Sequence, residues 1–188
     1  MNQRIDKQGW ERHWTEDVAT YESNKDLKRL RPVLRSYMKG KIADIGCGVT
    51  NMYKPGDDVT GVDISEECVR IMSERYPFGT WIAADARHTT LPESAFDTVI
   101  CSHVVEHFWD TTPVIEELKR ICKKEGHIIV TVPRNSPGID HVHPRWYPEK
   151  VEDMIARHLR DATYEHRARA HWLVHGKYAV DESKTGNS

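Results

Sequence analysis

Residues 42–65 read IADIGCGVTNMYKPGDDVTGVDIS. A short, largely apolar run gives way to Gly46-Cys47-Gly48, and a second run ends on Asp63, 19 residues after Asp44. A buried strand, a glycine turn and an acid-tipped second strand open a nucleotide-binding α/β unit. In such units the glycines admit a ligand to the backbone, and an acid about 20 residues on takes ribose hydroxyls. The dinucleotide form adds a third glycine and a helix whose N-terminus faces a pyrophosphate. Here the third glycine is missing. Pro55-Gly56 leave only residues 49–54 for a helix, about one and a half turns. The charge is also wrong for phosphate. Asp44, Asp57, Asp58, Asp63 and Asp85 lie in or near these loops, and between Lys41 and Arg70 the sole basic residue is Lys54. A phosphate-free nucleoside carrying positive charge suits the stretch. Asp63 is placed to accept both ribose hydroxyls and Asp85 the exocyclic amine of an adenine. Asp44 is placed to orient the loop or to receive an ammonium through water.

The chain of 188 residues is expected to form one domain with a core of its own. A net charge of −2 gives no global case for a nucleic-acid binder. Two local gatherings of cations, LKRLRPVLR at 27–35 and EHRARAHW at 165–172, read as solvated faces. Cys47, Cys68, Cys101 and Cys122 show no C-x-x-C spacing, so they read as small buried thiols rather than a zinc or redox motif. The opening MNQRIDKQGW has no apolar signal core, and no run reaches membrane-spanning length. A cytoplasmic protein without a membrane partner is the expectation.

Residues 6–39 read as two helices. Trp10, Trp14, Val18 and Tyr21 mark one face of the first, and Leu27, Leu30, Val33, Leu34 and Tyr37 mark the second, with Pro32 disturbing it or marking its start. Then strands and helices alternate. KIADIG, DVTGVDI, TWIAAD, FDTVICS and HIIVTVP read as strands. SEECVRIMSERY is a helix capped by Ser65, and TPVIEELKRICKKEG is one with Thr112 as cap and Gly126 at its end. YPEKVEDMIARHL follows as a helix, and two final strands close the chain as an edge hairpin. Such alternation means a parallel sheet with helices on both faces, and its ligand site lies at the carboxyl ends of the strands. That rule selects Gly46, Cys47, Gly48, Asp63, Asp85 and the stretch Ser102–His107. Residues 1–40 are expected to form a helical lid, 41–180 the core and 181–188 a polar tail.

The chain resembles the class I S-adenosylmethionine-dependent methyltransferases of the small type 11 kind. IADIGCG is similar to the first motif of that family and VTGVDIS to its acid-bearing second strand. AADARHTTLPESAFDTVICSHVVEH is similar to the adenine-contacting loop and fourth strand, and EELKRICKKEGHIIVTVP and HPRWYPEKVEDMI to later segments. The resemblance covers roughly residues 41–180 in order. It implies a three-layer Rossmann-like sandwich, an α/β fold whose seven-stranded sheet is mostly parallel with an antiparallel C-terminal hairpin. It also implies S-adenosyl-L-methionine as cofactor, held by Asp44, Gly46, Cys47, Gly48, Asp63, Ile64, Asp85, Ala86 and Ser102. Thr50 departs from the family where many relatives have a glycine, and the first crossover is about half the usual length. A sulfonium without phosphates tolerates that shortening, whereas a dinucleotide would not.

Methyl transfer is an in-line displacement, and a base is needed only where the acceptor carries a proton at neutral pH. His103, Glu106 and His107 in SHVVEHFWD follow strand four and are the catalytic candidates, histidine being the usual base near pH 7. His103 ordering the loop and Glu106 capping it is the structural alternative. A sharper idea lets Glu106, His107 and His141 of DHVHPRW converge on a divalent ion, similar to the RNA 3′-terminal 2′-O-methyltransferases. The motifs of amino-group methylation of adenine or glutamine, N-P-P-Y or D-P-P-Y, are absent. A small-molecule acceptor bearing an oxygen or nitrogen is the main expectation. A nucleic-acid or protein substrate docked on Lys28, Arg29, Arg31, Arg167 and Arg169, or a non-catalytic cofactor-binding subunit, stays open beside it.

Overall fold

The computed structural model describes residues 6–16, 18–133, 159–167 and 171–177. Three short helices come first: α1 (Lys7–Glu16), α2 (Val18–Ser23) and α3 (Lys25–Tyr37). There follow β1 (Lys41–Ile45), β2 (Asp58–Asp63), α4 (Glu66–Arg75), β3 (Thr80–Ala83), β4 (Phe96–Ser102), α5 (Thr112–Ile121), β5 (Cys122–Pro133), β6 (Arg160–Arg167) and β7 (His171–Lys177). Among the described residues the seven strands form one sheet in the order β3-β2-β1-β4-β5-β7-β6. The pairs β2–β3, β1–β2, β1–β4 and β4–β5 are parallel, and β7 runs antiparallel to both neighbours. The expected α/β sheet with its antiparallel terminal pair is the observed one.

The helices differ from expectation in three places. The first stripe is divided between α1 and α2 rather than carried on one helix. The next helix runs through Pro32, which is exposed, and starts at an Asn24 cap whose side chain accepts from the amides of Asp26 and Leu27. The helix before β5 ends at Ile121, not Gly126, and its cap position is Thr111, with Asp110 Oδ1 accepting from the Thr112 amide at 3.0 Å. Phe96 pairs with Cys122, so the chain has already entered the sheet there. The expected helix over 147–159 and the tail lie largely outside the described residues.

Alternation along the strands divides the core. Ala43, Ile45, Val99, Cys101, Val130 and Val132 pack on one face against Val114, Leu118 and Ile121 of α5. Ile42, Ile100 and Ile129 pack on the other against Leu30 and Leu34 of α3 and Met72 of α4. No helix or strand occupies residues 46–57. The face that a crossover helix would cover carries Val49, Met52 and Tyr53 together with the N-terminal helices.

One buried acid fixes the loop that follows β3. Glu117 Oε1 accepts from the Thr89 amide at 2.8 Å and the Thr89 hydroxyl at 2.6 Å, and its Oε2 takes Arg120 Nε at 2.7 Å. Burial works against its ionisation, but Arg120 and Thr89 outweigh it and hold the carboxyl down to about 2. A depressed value means that this stabilisation is present above the ordinary carboxylate range and is lost as pH falls through about 2. Glu117→Ala leaves buried Thr89 donors without an acceptor, so chemical denaturation should show a loss of about 1–3 kcal/mol at neutral pH.

Candidate active site

The carboxyl ends of β1, β2, β3 and β4 converge on a cleft of about 220 Å³. Gly46, Gly48, Asp63, Ile64, Asp85, Ala86 and Ser102 line it, and so do His103, Glu106 and His107. Asp44 and Cys47 do not. They line a smaller cavity behind, which shares Tyr21, Gly46 and Ser102 with the cleft.

Asp63 ties the two motif strands together. Its Oδ2 accepts from the Gly48 amide and its Oδ1 from the Ser65 amide, both at 3.0 Å. Burial raises its pKa, and the two backbone amides pull against that rise. Gly46 and Gly48 have φ of +69° and +53°, a region that favours glycine. Each has a second reason to lack a side chain: a Cβ on Gly46 would overlap Val104, and one on Gly48 would stand 2.9 Å from the Trp14 ring. The glycine loop is thus close-packed against the N-terminal helices as well as open to the cleft.

Asp85 is engaged by a partner not foreseen in the sequence. Arg87 donates to it from its amide at 2.8 Å, from Nε at 2.9 Å and from Nη2 at 2.5 Å, and the guanidinium holds its carboxyl below the usual range. The same guanidinium stands 5.4 Å from the centroid of Phe108, which lines the cleft.

Past β4 the backbone bends sharply. His103 has φ of +59°, a left-handed conformation costly for a residue with a Cβ, and its amide donates to Thr131 O at 3.0 Å. A single 3₁₀ turn, Val105–His107, then buries Glu106 completely. His103 Nδ1 lies 3.3 Å from Glu106 Oε1. Burial pushes the Glu106 carboxyl up, but His103 and the charge of His107 outweigh it and hold it below the ordinary value. His107 meets Trp10 edge to face, with centroids 4.8 Å apart. His141, the third member of the proposed divalent site, lies outside the described residues.

The inner cavity brings Asp44 together with groups that sequence reasoning missed. Asp44 accepts a hydrogen bond from the Tyr53 hydroxyl at Oδ2, while its Oδ1 is buried without a partner among the described residues. Arg31 was read as part of a docking face. It turns inward instead, donating to Asn51 Oδ1 at 2.7 Å, and its Nη2 is likewise buried and unpartnered among the described residues. Trp14 Nε1 is a third such atom, on the cleft wall. Nothing in the local pattern of LKRLRPVLR marks Arg31 out, because its position on α3 relative to Asp44 is a tertiary fact. Cys47, Cys68 and Asp63 bring two thiols and a carboxylate within 4.8 Å of one another, all buried, across a sequence distance that no spacing rule covers.

Comparison with known proteins agrees with this architecture. A family described as "Methyltransferase domain" matches residues 43–130. A probable S-adenosylmethionine-dependent methyltransferase of Mycobacterium tuberculosis is 30% identical over 110 residues, covering 56% of this chain and 40% of that one. A ubiquinone biosynthesis O-methyltransferase of Xanthomonas euvesicatoria is 25% identical, covering 61% and 54%. The chain therefore spans about half the length of these curated relatives. Among solved structures, the N-methyltransferase NodS of Bradyrhizobium japonicum, in complex with S-adenosyl-L-homocysteine, aligns with a TM-score of 0.71 at 17% identity, covering 93% of this chain and 98% of that one. At that identity it speaks for the fold. Over residues 43–130 the chain is similar to the class I S-adenosylmethionine-dependent methyltransferases of the type 11 family, and the fold and the acid-lined cleft at the strand ends agree with that likeness.

Proposed function

We propose that the protein methylates an oxygen or nitrogen of a small-molecule acceptor in the cytoplasm, with His103 as general base. The observation that carries this reading is the His103–Glu106 pair: a fully buried carboxylate 3.3 Å from an imidazole on a strained backbone, at the cleft wall beyond the acids of β2 and β3.

The donor set fits the cofactor. Asp63 would hold the ribose hydroxyls and Asp85 the adenine amine, and Ile64 and Ala86 would give the base apolar contact. The amino-acid end fits the inner cavity. Arg31 Nη2 suits its carboxylate and Asp44 Oδ1 its ammonium, which would satisfy two buried atoms that have no partner among the described residues. When bound, S-adenosylmethionine supplies an electrophilic methyl on a cationic sulfur. The protein's part is to align the acceptor with that methyl, to exclude water and to take the acceptor's proton. Trp10, Trp14 and Phe108 give the cleft apolar walls that do the first two. His103, whose Nδ1 faces Glu106 at 3.3 Å, takes the proton at Nε2, and the ionised carboxylate stabilises the imidazolium that forms. No described helix is long and apolar enough to cross a membrane.

Thermal unfolding with S-adenosylhomocysteine at about 100 times its dissociation constant should show a gain of about 2.7 kcal/mol. Asp63→Asn should abolish that gain. No shift in the unmodified protein removes the cofactor reading.

Arg31→Ala should weaken S-adenosylhomocysteine roughly 10–100-fold, the loss of one charge-assisted bond, and leave the affinity for adenosine unchanged. Burial and the charge of Asp63 raise the Asp44 carboxyl from 3.8 to about 7, against the Tyr53 bond. The sign is that of a raised acid: the ligand-free fold loses stability as pH rises through about 7, while binding of an ammonium, which needs the anion, strengthens. Asp44→Asn should flatten both trends in melting and calorimetry across that range.

His103→Ala should lower methyl transfer to a small-molecule extract by about 10²–10⁴-fold with cofactor affinity unchanged. Label that appears only in RNA or protein, or turnover indifferent to the substitution, overturns the proposed acceptor class or base respectively.

A further inference from the structure

Helix α1 places Trp10, His13 and Trp14 on the cleft wall. Trp14 rests in the space left by the missing Cβ of Gly48, and Trp10 reaches His107 on the far side. This arrangement roofs the site and narrows the path of a nucleoside into it. Beside the buried Trp14 ring, one polar side chain of the same helix ties the roof to α4.

Glu11 Oε1 accepts from the Glu66 amide at 2.8 Å, and Oε2 accepts from the Glu67 amide at 3.0 Å and from the Ser65 hydroxyl at 2.6 Å. These amides belong to the first turn of α4, whose N–H groups have no intrahelical acceptor. Ser65 caps only one of them, accepting from Cys68 N at 3.1 Å. A residue more than fifty positions earlier supplies the rest, as an anion at the positive end of the helix. Ser65 is also the junction with the cofactor site, because its own amide donates to Asp63 Oδ1. The roof, the first turn of α4 and the ribose-binding acid are joined through one residue. The neighbouring Lys7–Glu66 pair, at 2.5 Å, is exposed and screened by solvent.

We propose that Glu11 is a positioning residue: its bonds to Ser65, Glu66 and Glu67 latch α1 over the cleft, and their rupture opens the path by which cofactor enters and product leaves. The proposal rests on the reading of the cleft as the S-adenosylmethionine site. The latch itself lies outside the groups that touch the ligand. Its release exposes amides that water can solvate, and the Ser65 cap remains, so the rest of the fold is retained.

The test uses Glu11→Ala and Glu11→Gln, with Lys7→Ala as control, in the full chain. Two measurements are made: amide hydrogen exchange of α1 without ligand, and stopped-flow tryptophan fluorescence with S-adenosylhomocysteine. Expected are faster exchange confined to α1 and an S-adenosylhomocysteine dissociation rate raised roughly tenfold or more, the worth of one charge-assisted bond. Lys7→Ala should match the unmodified protein in both. A purely structural role would spread faster exchange over the sheet and α5 as well, and that outcome overturns the proposal. So does unaltered exchange of α1, or unaltered release from a protein that binds the ligand normally. Failure of the unmodified protein to bind S-adenosylhomocysteine overturns the cofactor reading instead, and the latch in its proposed role falls with it. The exchange data still report whether Glu11 holds α1.

Discussion

The structure of the site depends on one carboxylate serving two amides. Asp63, at the end of β2, takes the Gly48 amide on one oxygen and the Ser65 amide on the other. The first bond sets the loop leaving β1, and the second sets the turn into α4. Gly46 and Cys47 donate to Val62 O at 2.7 and 3.0 Å, so the start of the loop is tied to β2. The bonds also explain how an acid stays 7% exposed without a basic partner among the described residues: backbone dipoles replace the water it has lost. Any ligand group that reaches Asp63 meets an oxygen already fixed in direction.

Around that anchor the charge of the site is arranged in depth. Asp85, partly exposed on the cleft wall, is paired with Arg87. Asp44, in the inner cavity, has no basic side chain bonded to it among the described residues, and burial pushes its proton affinity up. Glu106 is as buried as any described residue but sits beside two histidines that keep it ionised. Three acids a few residues from strand ends thus have three different states, each set by what is packed beside it rather than by its position in the motif. The fold is shared by proteins of very low identity. The chemistry is assigned on these side chains.

Much of this was legible in the sequence, for identifiable reasons. The strands were readable because a buried parallel strand is a short apolar run between turn residues, as in KIADI and FDTVICS. The Ser65 cap was readable because a hydroxyl before a helical stripe has few other uses. The strand-end rule located Asp63, Asp85 and His103 in one cleft without any side-chain geometry. What was not readable depends on distant partners. The Arg31 guanidinium lines the inner cavity and bonds Asn51, twenty residues away, whereas Lys28 and Arg29 of the same cationic run are exposed. The Glu11 carboxylate looks like any polar residue of an amphipathic helix until α4 is placed against it. Cys47 and Cys68 become neighbours only once the loop and α4 are folded. The early end of α5 was hidden because CKK continues a plausible helical pattern, while the pairing of Phe96 with Cys122 draws it into the sheet.

The missing crossover helix has a consequence for synthesis. With residues 46–57 devoid of helix, the sheet face bearing Ile42, Ile100 and Ile129 is covered in large part by α3, which precedes every strand in the chain. Leu30 and Leu34 therefore leave the ribosome well before the last of the surfaces they will bury against. Until β5 has emerged, that apolar stripe has an incomplete docking surface, and the contacts that complete it join the two ends of the described core. A chain built this way cannot finish its first layer from its first residues. Its nascent N-terminal half is the stretch where chaperone contact or premature association would concentrate.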